Sequence, residues 1–144
     1  MKTYLNYFFS GLILFFAPIQ GLLIAVAFGI FLDTFTGIFK SVKLTGWRSI
    51  RSKTLSNIIS KMLLYQITIL LLYVIDNFLL NEFILQHFTI KFMFTKLVAI
   101  LLIFIELVSI KENVESALKI DIWKMLKNLL NRAKEVKADI NEIK

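Results

Sequence analysis

The sequence contains no cysteine, one histidine and one proline in 144 residues. The missing cysteines exclude disulfide frameworks, thiolate metal sites and cysteine nucleophiles. The only histidine, His87, lies in a short polar connection between two apolar runs, where a solvated side chain is a simpler interpretation than a metal ligand. Charged residues make up only 19% of the chain, against about 25% in ordinary soluble proteins. We therefore expect neither a metal nor a cofactor.

Sequence motifs of common enzyme classes are also missing. The chain has no glycine-rich phosphate loop ending in lysine and serine, no HExxH zinc helix and no GxSxG nucleophile turn. No paired set of carboxylate and histidine residues is available for acid–base catalysis. We therefore predict that the protein is not an enzyme.

Hydrophobic residues, in contrast, make up 58% of the chain, above the roughly 45–50% of ordinary soluble domains. A soluble fold of this size does not bury that much apolar surface. Within lipid, a helix satisfies all its backbone hydrogen bonds internally, which makes it the natural state for an isolated apolar run. The composition therefore predicts an all-α membrane protein.

Three stretches are long enough to cross the roughly 30 Å hydrocarbon core, which takes about 20 helical residues. They cover residues 19–39, 55–80 and 92–110. Residues 4–17 are apolar but short and end near Pro18, which suits an interfacial, re-entrant or short fourth helix, so three and four spans both stay open. This N-terminal stretch also resembles a secretory signal, but the apolar character continues after Pro18 without a clear cleavage site, which favours an uncleaved segment.

The distribution of basic residues predicts the orientation. The loop after the first span has no acidic residue and five basic ones: Lys40, Lys43, Arg48, Arg51 and Lys53. The second loop has only Lys91 against Glu82. We therefore expect the first loop and the C-terminal tail to be cytoplasmic, with the side of the N-terminus depending on the number of spans. The net charge of +7 then fits contact with anionic lipid rather than with nucleic acid.

The tail, residues 111–144, differs from the membrane domain, residues 1–110, because it carries charges of both signs and an apolar seam. The seam repeats at spacings of four and three, as in helices that face a partner. Its members are Ile122, Leu126, Leu129, Ala133, Val136, Ile140 and Ile143. About three heptads is short for an independent coiled coil, and Trp123 with two nearby lysines also suits a helix on the membrane surface. Self-association and surface binding therefore both stay open.

Five ionisable residues fall within or near the ends of the spans: Asp33, Lys61, Asp76, Lys96 and Glu106. Counted at 1.5 Å per residue from the basic-loop side, Asp33, Lys61 and Glu106 share a depth of about 6–9 Å. Asp76 and Lys96 share a depth near the other side. Since an isolated charge in lipid is costly, we predict that Asp33 pairs with Lys61, with Glu106 competing for the same lysine, and that Asp76 pairs with Lys96. The alternative is that the lysines extend to the headgroups.

Two stretches resemble a known family. DTFTG, residues 33–37, is followed by a basic loop and a lysine early in the second span, and the third span ends in ELVSIKEN, residues 106–113. This order resembles the phage holins found in lysis and toxin-secretion cassettes. The residues that carry the resemblance are Asp33, Thr36, Gly37, Glu106, Leu107, Ser109, Ile110, Glu112 and Asn113. Asn113 either redirects the helix into the tail or lies within a continuous helix.

The resemblance implies a protein that accumulates in the bacterial cytoplasmic membrane, forms homo-oligomers and opens lesions for a cell-wall hydrolase. Holins need not bind that hydrolase directly. Two other functions fit the residues alone: a membrane anchor that recruits a partner through the tail seam, and a small conduit for ions or solutes.

Overall fold

The computed structural model describes residues 2–47 and 52–142, and every secondary-structure element in these ranges is helical. The six α-helices are α1 (Lys2–Phe16), α2 (Gln20–Thr45), α3 (Ser52–Ile75), α4 (Asn81–His87), α5 (Met93–Leu118) and α6 (Ile122–Glu142). A 3₁₀ turn, Ala17–Ile19, joins α1 to α2, and a π-helical segment, Asp76–Leu80, joins α3 to α4.

Three helical stretches in the described ranges are long and apolar enough to cross a membrane: Tyr4–Thr45, Ser56–Leu80 and Met93–Leu118. The sequence-based prediction of an all-α membrane protein with three such helices is confirmed. The short helix α4 lies in the connection between the second and third stretches and was not predicted.

The first stretch is interrupted at Pro18, which has no backbone N–H and lies in the 3₁₀ turn. Its 42 residues would form a straight helix of about 63 Å, twice the thickness of the hydrocarbon core. The 26 residues of α2 suffice to cross the membrane, whereas α1 is about 22 Å long. The hydroxyl of Tyr73 on α3 donates to the carbonyl of Phe15 at 2.8 Å, which fixes the end of α1 against the bundle. A fourth crossing by α1 stays one of the alternatives that the sequence gives for this segment.

Helices α2, α3 and α5 form the bundle, with the closest packing between α2 and α5. The buried apolar cluster is small and consists of Ile19, Val26, Ile30, Ile69, Tyr73 and Ala99. Its two α2 members, Val26 and Ile30, are four residues apart, and spacings of three and four continue through Asp33 and Gly37. One face of α2 therefore changes from apolar packing to polar contact along its length.

The outer surface of the bundle carries large apolar side chains. Phe28, Phe31 and Phe35 on α2 and Phe104 on α5 are each about 60% exposed, as fits contact with lipid tails. Asp76, Thr95 and Glu106, in contrast, are fully buried. Water-soluble proteins rarely expose apolar patches on this scale, so the surface distribution independently fits a protein surrounded by lipid.

The helices α2 and α5 extend past the predicted ends of the spans, residues 39 and 110. Lipid exposure ends before helical hydrogen bonding does, because a helix that leaves the membrane keeps its backbone bonds in water. Helix α2 ends at Gly46, whose φ of 86° lies in the left-handed region, and α5 ends at Lys119 with a φ of 54°. The connection between α5 and α6 therefore consists of residues 119–121, beyond the predicted end of the third span at residue 110.

Candidate intramembrane charge cluster

Lys61 on α3 joins two carboxylates from two other helices. Its Nζ lies 2.8 Å from Oδ2 of Asp33 on α2 and 2.6 Å from Oε2 of Glu106 on α5. The structure thus places these three residues together. Glu106 does not compete with Asp33, because the ammonium group donates to both acids at once.

Helical spacing explains why the acids face the lysine. On α5, Ala99, Glu106 and Asn113 are seven residues apart, which is close to two helical turns, so all three lie on the face that packs against α2. On α2, Asp33 and Gly37 continue the buried face that begins at Val26 and Ile30. The two faces meet, and α3 inserts Lys61 between their carboxylates.

Asn113 extends the cluster toward the basic loop. Its Nδ2 donates to Oδ1 of Asp33 at 3.2 Å, and its Oδ1 accepts from Nζ of Lys40 at 3.4 Å. Both oxygens of Asp33 therefore have a partner on a different helix. Helix α5 is continuous through Asn113, so the amide acts inside the bundle and does not redirect the chain. The neighbouring Glu112 is exposed.

Glycine permits the approach of α2 to α5 on both sides of the cluster. A Cβ built on Gly37 would lie 3.5 Å from Nδ2 of Asn113, and one built on Gly29 would lie 3.6 Å from Cβ and Cγ of Glu106. Larger side chains at either position would occupy the space of the polar partners. The hydroxyl of Thr36, which lies between these glycines in the sequence, donates to the backbone carbonyl of Asp33 at 2.9 Å, so its hydrogen bond is made within α2.

A polar groove of about 450 Å³ opens beside the cluster, and Asp33, Lys61 and Asn113 form part of its lining. The groove also includes Asn57 and Ser60 on α3 and Ser109 on α5. Lys61 keeps 30% of its side chain exposed, whereas Glu106 has none exposed. Lys61 and Asp33 line the groove, whereas the buried Glu106 does not.

Glu106 is the most constrained member of the cluster. Oε2 binds Lys61, whereas Oε1 is buried without a hydrogen bond of acceptable geometry within residues 2–47 and 52–142, although the hydroxyl of Tyr65 lies within interaction range of the carboxylate. Gly29 covers the side chain on the α2 side. A buried carboxylate oxygen without a donor is costly, so any rearrangement that brings it a donor or water is favoured at this atom.

Asp76 does not pair with Lys96, which corrects the sequence-based prediction. Its Oδ2 instead accepts from the backbone N–H of Thr95 at 2.7 Å and from the hydroxyl of Thr95 at 2.6 Å. Thr95 lies in the first turn of α5, where backbone N–H groups lack helical partners and attract negative charge. Lys96 points away from Asp76 because consecutive residues differ by about 100° around a helix, and its side chain is exposed.

The contact made by Asp76 is a helix cap supplied by another segment. No side chain next to α5 caps its N-terminus, and Phe92 before it has a φ of 55°. Asp76 comes from the π-helical segment, which widens the turn of the preceding helix. Neither the π segment nor the role of Thr95 was predicted from the sequence. The available signal for the cap was Asp76, an acidic residue in an apolar stretch that precedes the next spanning helix. Oδ1 of Asp76 is buried without a hydrogen-bond partner in the described ranges.

Among the other residues of the sequence motif, Ser109 interacts with Asp33 through its side chain, whereas Leu107 and Ile110 lie around the cluster without joining its hydrogen bonds. Leu107 is exposed and Ile110 is half-buried, as fits lipid-facing and intermediate positions of α5. Sequence reasoning missed Asn57, Ser60 and Gln66, whose Nε2 donates to the carbonyl of Leu23 at 3.0 Å. Asn57 is one helical turn from Lys61, and this spacing could have indicated a shared face, whereas Ser60 and Gln66 carry no such signal.

The tail seam is exposed where the structure describes it. Leu126, Leu129, Ala133 and Val136 are exposed, and Ile122 is half-buried. Ile140 belongs to α6 but its side chain is outside the described part, as is that of His87, and Ile143 lies beyond residue 142. Arg48 and Arg51 of the basic loop also lie outside the described ranges, as does the side chain of Lys53. Among the residues described, no group of three or more histidine, cysteine or acidic side chains is placed to hold a metal ion.

Comparison with protein families gives one match. The model of the bacteriophage holin family matches residues 10–135, which include α2, α3, α5, the charge cluster and most of α6. No significant match was found among curated proteins or solved structures. The matched region covers most of the chain and contains every residue of the Lys61 cluster. The chain therefore belongs to the bacteriophage holin family.

Proposed function

We propose that this protein oligomerises in the bacterial cytoplasmic membrane and opens lesions through which a cell-wall hydrolase reaches the wall. The observation that carries the proposal is the shared ion-pair cluster, in which one lysine binds carboxylates from two other helices of a bundle with a largely apolar outer surface. Holins are not an enzyme family, and the function needs no catalytic residue.

The charged side chains of the cluster can be satisfied in two ways, within one protomer or between protomers and water. In a dispersed protomer, Asp33, Lys61 and Glu106 satisfy one another within the bundle, and the exposed surface is apolar and stable in lipid. At high density, the same groups re-pair between protomers or turn to water that fills a lesion. The unpartnered Oε1 of Glu106 and the polar groove beside Lys61 are the features that favour the second state.

The membrane potential contributes if these charges move across part of the field. Moving one elementary charge through the whole potential changes the free energy by about 2.3 kcal/mol per 100 mV. A displacement of Lys61 across part of the field changes the free energy by the corresponding fraction of this value. Depolarisation would then favour the open arrangement.

The orientation follows from the basic loop and belongs to the same proposal. The loop between α2 and α3 and the helix α6 are cytoplasmic, because basic residues are retained on that side. The chain has no cysteine, so single cysteines can be introduced one at a time. A cysteine at Trp47 or Asn128 should react with a membrane-impermeant maleimide only after the cells are opened, whereas one at Gln86 should react in intact spheroplasts.

Induction in a bacterium with and without a co-expressed cell-wall hydrolase tests the function. We expect abrupt depolarisation, and lysis only when the hydrolase is present. Unchanged growth at confirmed membrane expression would support a membrane anchor instead, and graded, ion-specific depolarisation without lysis would support a conduit. Lys61→Met should change the timing of lysis, whereas Lys96→Met, which removes the exposed lysine outside the cluster, should not.

A further inference from the structure

Helix α6 is a separate helix with a defined start, not a continuation of α5. The turn at Lys119 has a φ of 54° and ends α5. The side chain of Glu115 accepts the backbone N–H of Ile122 at 3.0 Å, and Asp121 caps α6 through the N–H of Lys124 at 2.9 Å. Glu115 is itself held by Lys111 at 3.1 Å. The change of direction after α5 is thus built by specific contacts.

The position of this turn brings α6 to the membrane surface. The 26 residues of α5 are about 39 Å long, close to the full bilayer thickness of about 40–45 Å with its headgroups. Leu118 therefore ends at headgroup level when α5 crosses the membrane. Only residues 119–121 separate it from α6, and three residues reach at most about 10 Å. The start of α6 therefore lies within about 10 Å of headgroup level.

The exposed apolar face of α6 is wider than the seam of a coiled coil. Trp123, Met125 and Leu130 flank the seam and are 68%, 56% and 56% exposed. With Leu126 and Leu129 as adjacent seam positions, these three residues occupy flanking e and g positions, which in a coiled coil usually carry charged side chains. At 100° per residue, the apolar arc of residues 122–136 spans about 160°, as in helices that lie in a membrane interface.

The charges of α6 identify the partner. The helix contains five basic and three acidic residues, and Lys124, Lys127 and Lys134 lie on the face opposite or beside the apolar arc. Lysine side chains at these places extend their ammonium groups to headgroup phosphates while the apolar arc enters the acyl boundary. Tryptophan prefers the same interface. A neutral apolar partner would leave the basic residues without a role.

We propose that α6 binds in the plane of an anionic lipid surface, with Trp123, Leu126 and Leu130 inserted at the boundary between headgroups and acyl chains. The binding surface lies outside the charge cluster, and the proposal holds whether or not the protein opens lesions. In the dispersed protein, the lipid then covers the face that would otherwise pair with a second copy.

Fluorescence of Trp123 in the full-length chain tests the proposal. Trp47→Phe leaves Trp123 as the only tryptophan, since the chain has two. The variant is placed in nanodiscs of phosphatidylcholine, with or without phosphatidylglycerol, so that both faces are accessible. We expect a blue-shifted emission, quenching by lipids brominated near the headgroup, and a severalfold lower quenching by aqueous iodide when phosphatidylglycerol is present.

Leu130→Glu and Asn128→Glu provide matched variants, because they add the same charge to the apolar arc and to the polar face of α6. Leu130→Glu should restore iodide quenching of Trp123, whereas Asn128→Glu should leave most of the protection. If Trp47→Phe impairs folding, an environment-sensitive dye at single cysteines replacing Leu130 and Asn128 gives the same comparison. Equal iodide access in both lipids would overturn the proposal, as would protection that requires several copies per nanodisc.

Discussion

Gly29 on α2 lies directly against Glu106 on α5, so that a Cβ at the glycine would meet Cβ and Cγ of the glutamate at 3.6 Å. This contact covers a fully buried carboxylate with backbone rather than with a side chain. The approach of the two helices at this point brings Asp33, one turn further along α2, to the same lysine as Glu106. The absence of a side chain on glycine at position 29 therefore allows the close helix approach that the ion pairs need.

Substitution at Gly29 should depend on size. Gly29→Ala adds one methyl group at ordinary contact distance, so the bundle should keep its stability, helped by the better helix propensity of alanine. Gly29→Leu must displace Glu106 or separate α2 from α5, at a cost of about 1–3 kcal/mol. Heat-induced unfolding in detergent, followed by circular dichroism, measures both.

Gly21→Leu is the matched control for this prediction, because a Cβ at Gly21 meets no atom within 4 Å. It should leave the unfolding midpoint close to that of the unchanged protein. Equal destabilisation by leucine at Gly21 and Gly29 would show that contact with Glu106 is not the cause.

Removal of the shared lysine should destabilise the bundle more than removal of either acid. Lys61→Met leaves both carboxylates without their cation, and breaking a buried pair costs about 3–5 kcal/mol. The loss of stability should lie near the lower end of this range because Lys61 has 30% of its side chain exposed. Asp33→Asn keeps one acid on the lysine and should cost less. Unfolding in detergent gives the order of the variants.

The double variant Asp33→Asn with Lys61→Met distinguishes coupling from separate effects. Groups in one network show coupling of about 0.5–3 kcal/mol, so the double variant should be more stable than the sum of the single losses indicates. Single and double variants that leave stability, assembly and lysis timing unchanged would refute the cluster. Lys96→Met is the lysine control, since its side chain is exposed and outside the cluster.

Asp76→Ala should weaken the start of α5. The substitution removes the acceptor for the N–H and the hydroxyl of Thr95, and loss of a helix cap costs about 0.5–2 kcal/mol. Asp76→Asn keeps an oxygen acceptor and should retain more of the stability. Hydrogen exchange of the amides in the first turn of α5 measures this local loss of stability, which should appear as faster exchange.

Thr95→Val is the companion variant for the cap. It removes the hydroxyl bond but keeps the backbone bond to Asp76, so it should give a smaller change than Asp76→Ala. Faster exchange spread over the whole bundle, rather than centred on the first turn of α5, would contradict a capping role.

The depth of the charged residues was predictable because it depends only on helical rise and span length. Counting along the spans placed Asp33, Lys61 and Glu106 at one level, where the structure brings them together. The same argument failed for Asp76 and Lys96, since equal depth does not give the direction of a side chain around its helix. The acid found a backbone N–H at a helix start, a partner that no residue type in the sequence indicates.

The ends of the helices were less predictable than their existence. Hydropathy marks where lipid contact ends, but α2 and α5 continue into their polar segments until Gly46 and Lys119 adopt left-handed backbone conformations. The role of Asn113 was missed because neither alternative drawn from the sequence, a helix end or a continuous helix, placed its side chain on the buried face that it shares with Glu106. Its spacing of seven residues from Glu106 was the available signal.

Asn113 supplies a test in which two substitutions should compensate each other. Its amide donates to Oδ1 of Asp33 at 3.2 Å, so Asn113→Asp replaces a donor with a carboxylate and places two acids in contact. That variant should be less stable than Asn113→Ala, which removes the bond without adding charge. Combining Asn113→Asp with Asp33→Asn restores an amide opposite a carboxylate, with the two groups exchanged between α2 and α5.

The exchanged pair should recover part of the stability lost by Asn113→Asp, because a donor again faces an acceptor across the helix contact. Recovery should be incomplete, since Lys61 then loses one of its two acids and Lys40 gains a carboxylate in place of the amide oxygen it binds at 3.4 Å. Glu112→Gln is the matched control, because its side chain is exposed beside Asn113. Additive losses in the double variant would show that Asn113 stabilises α5 locally and does not bridge it to Asp33.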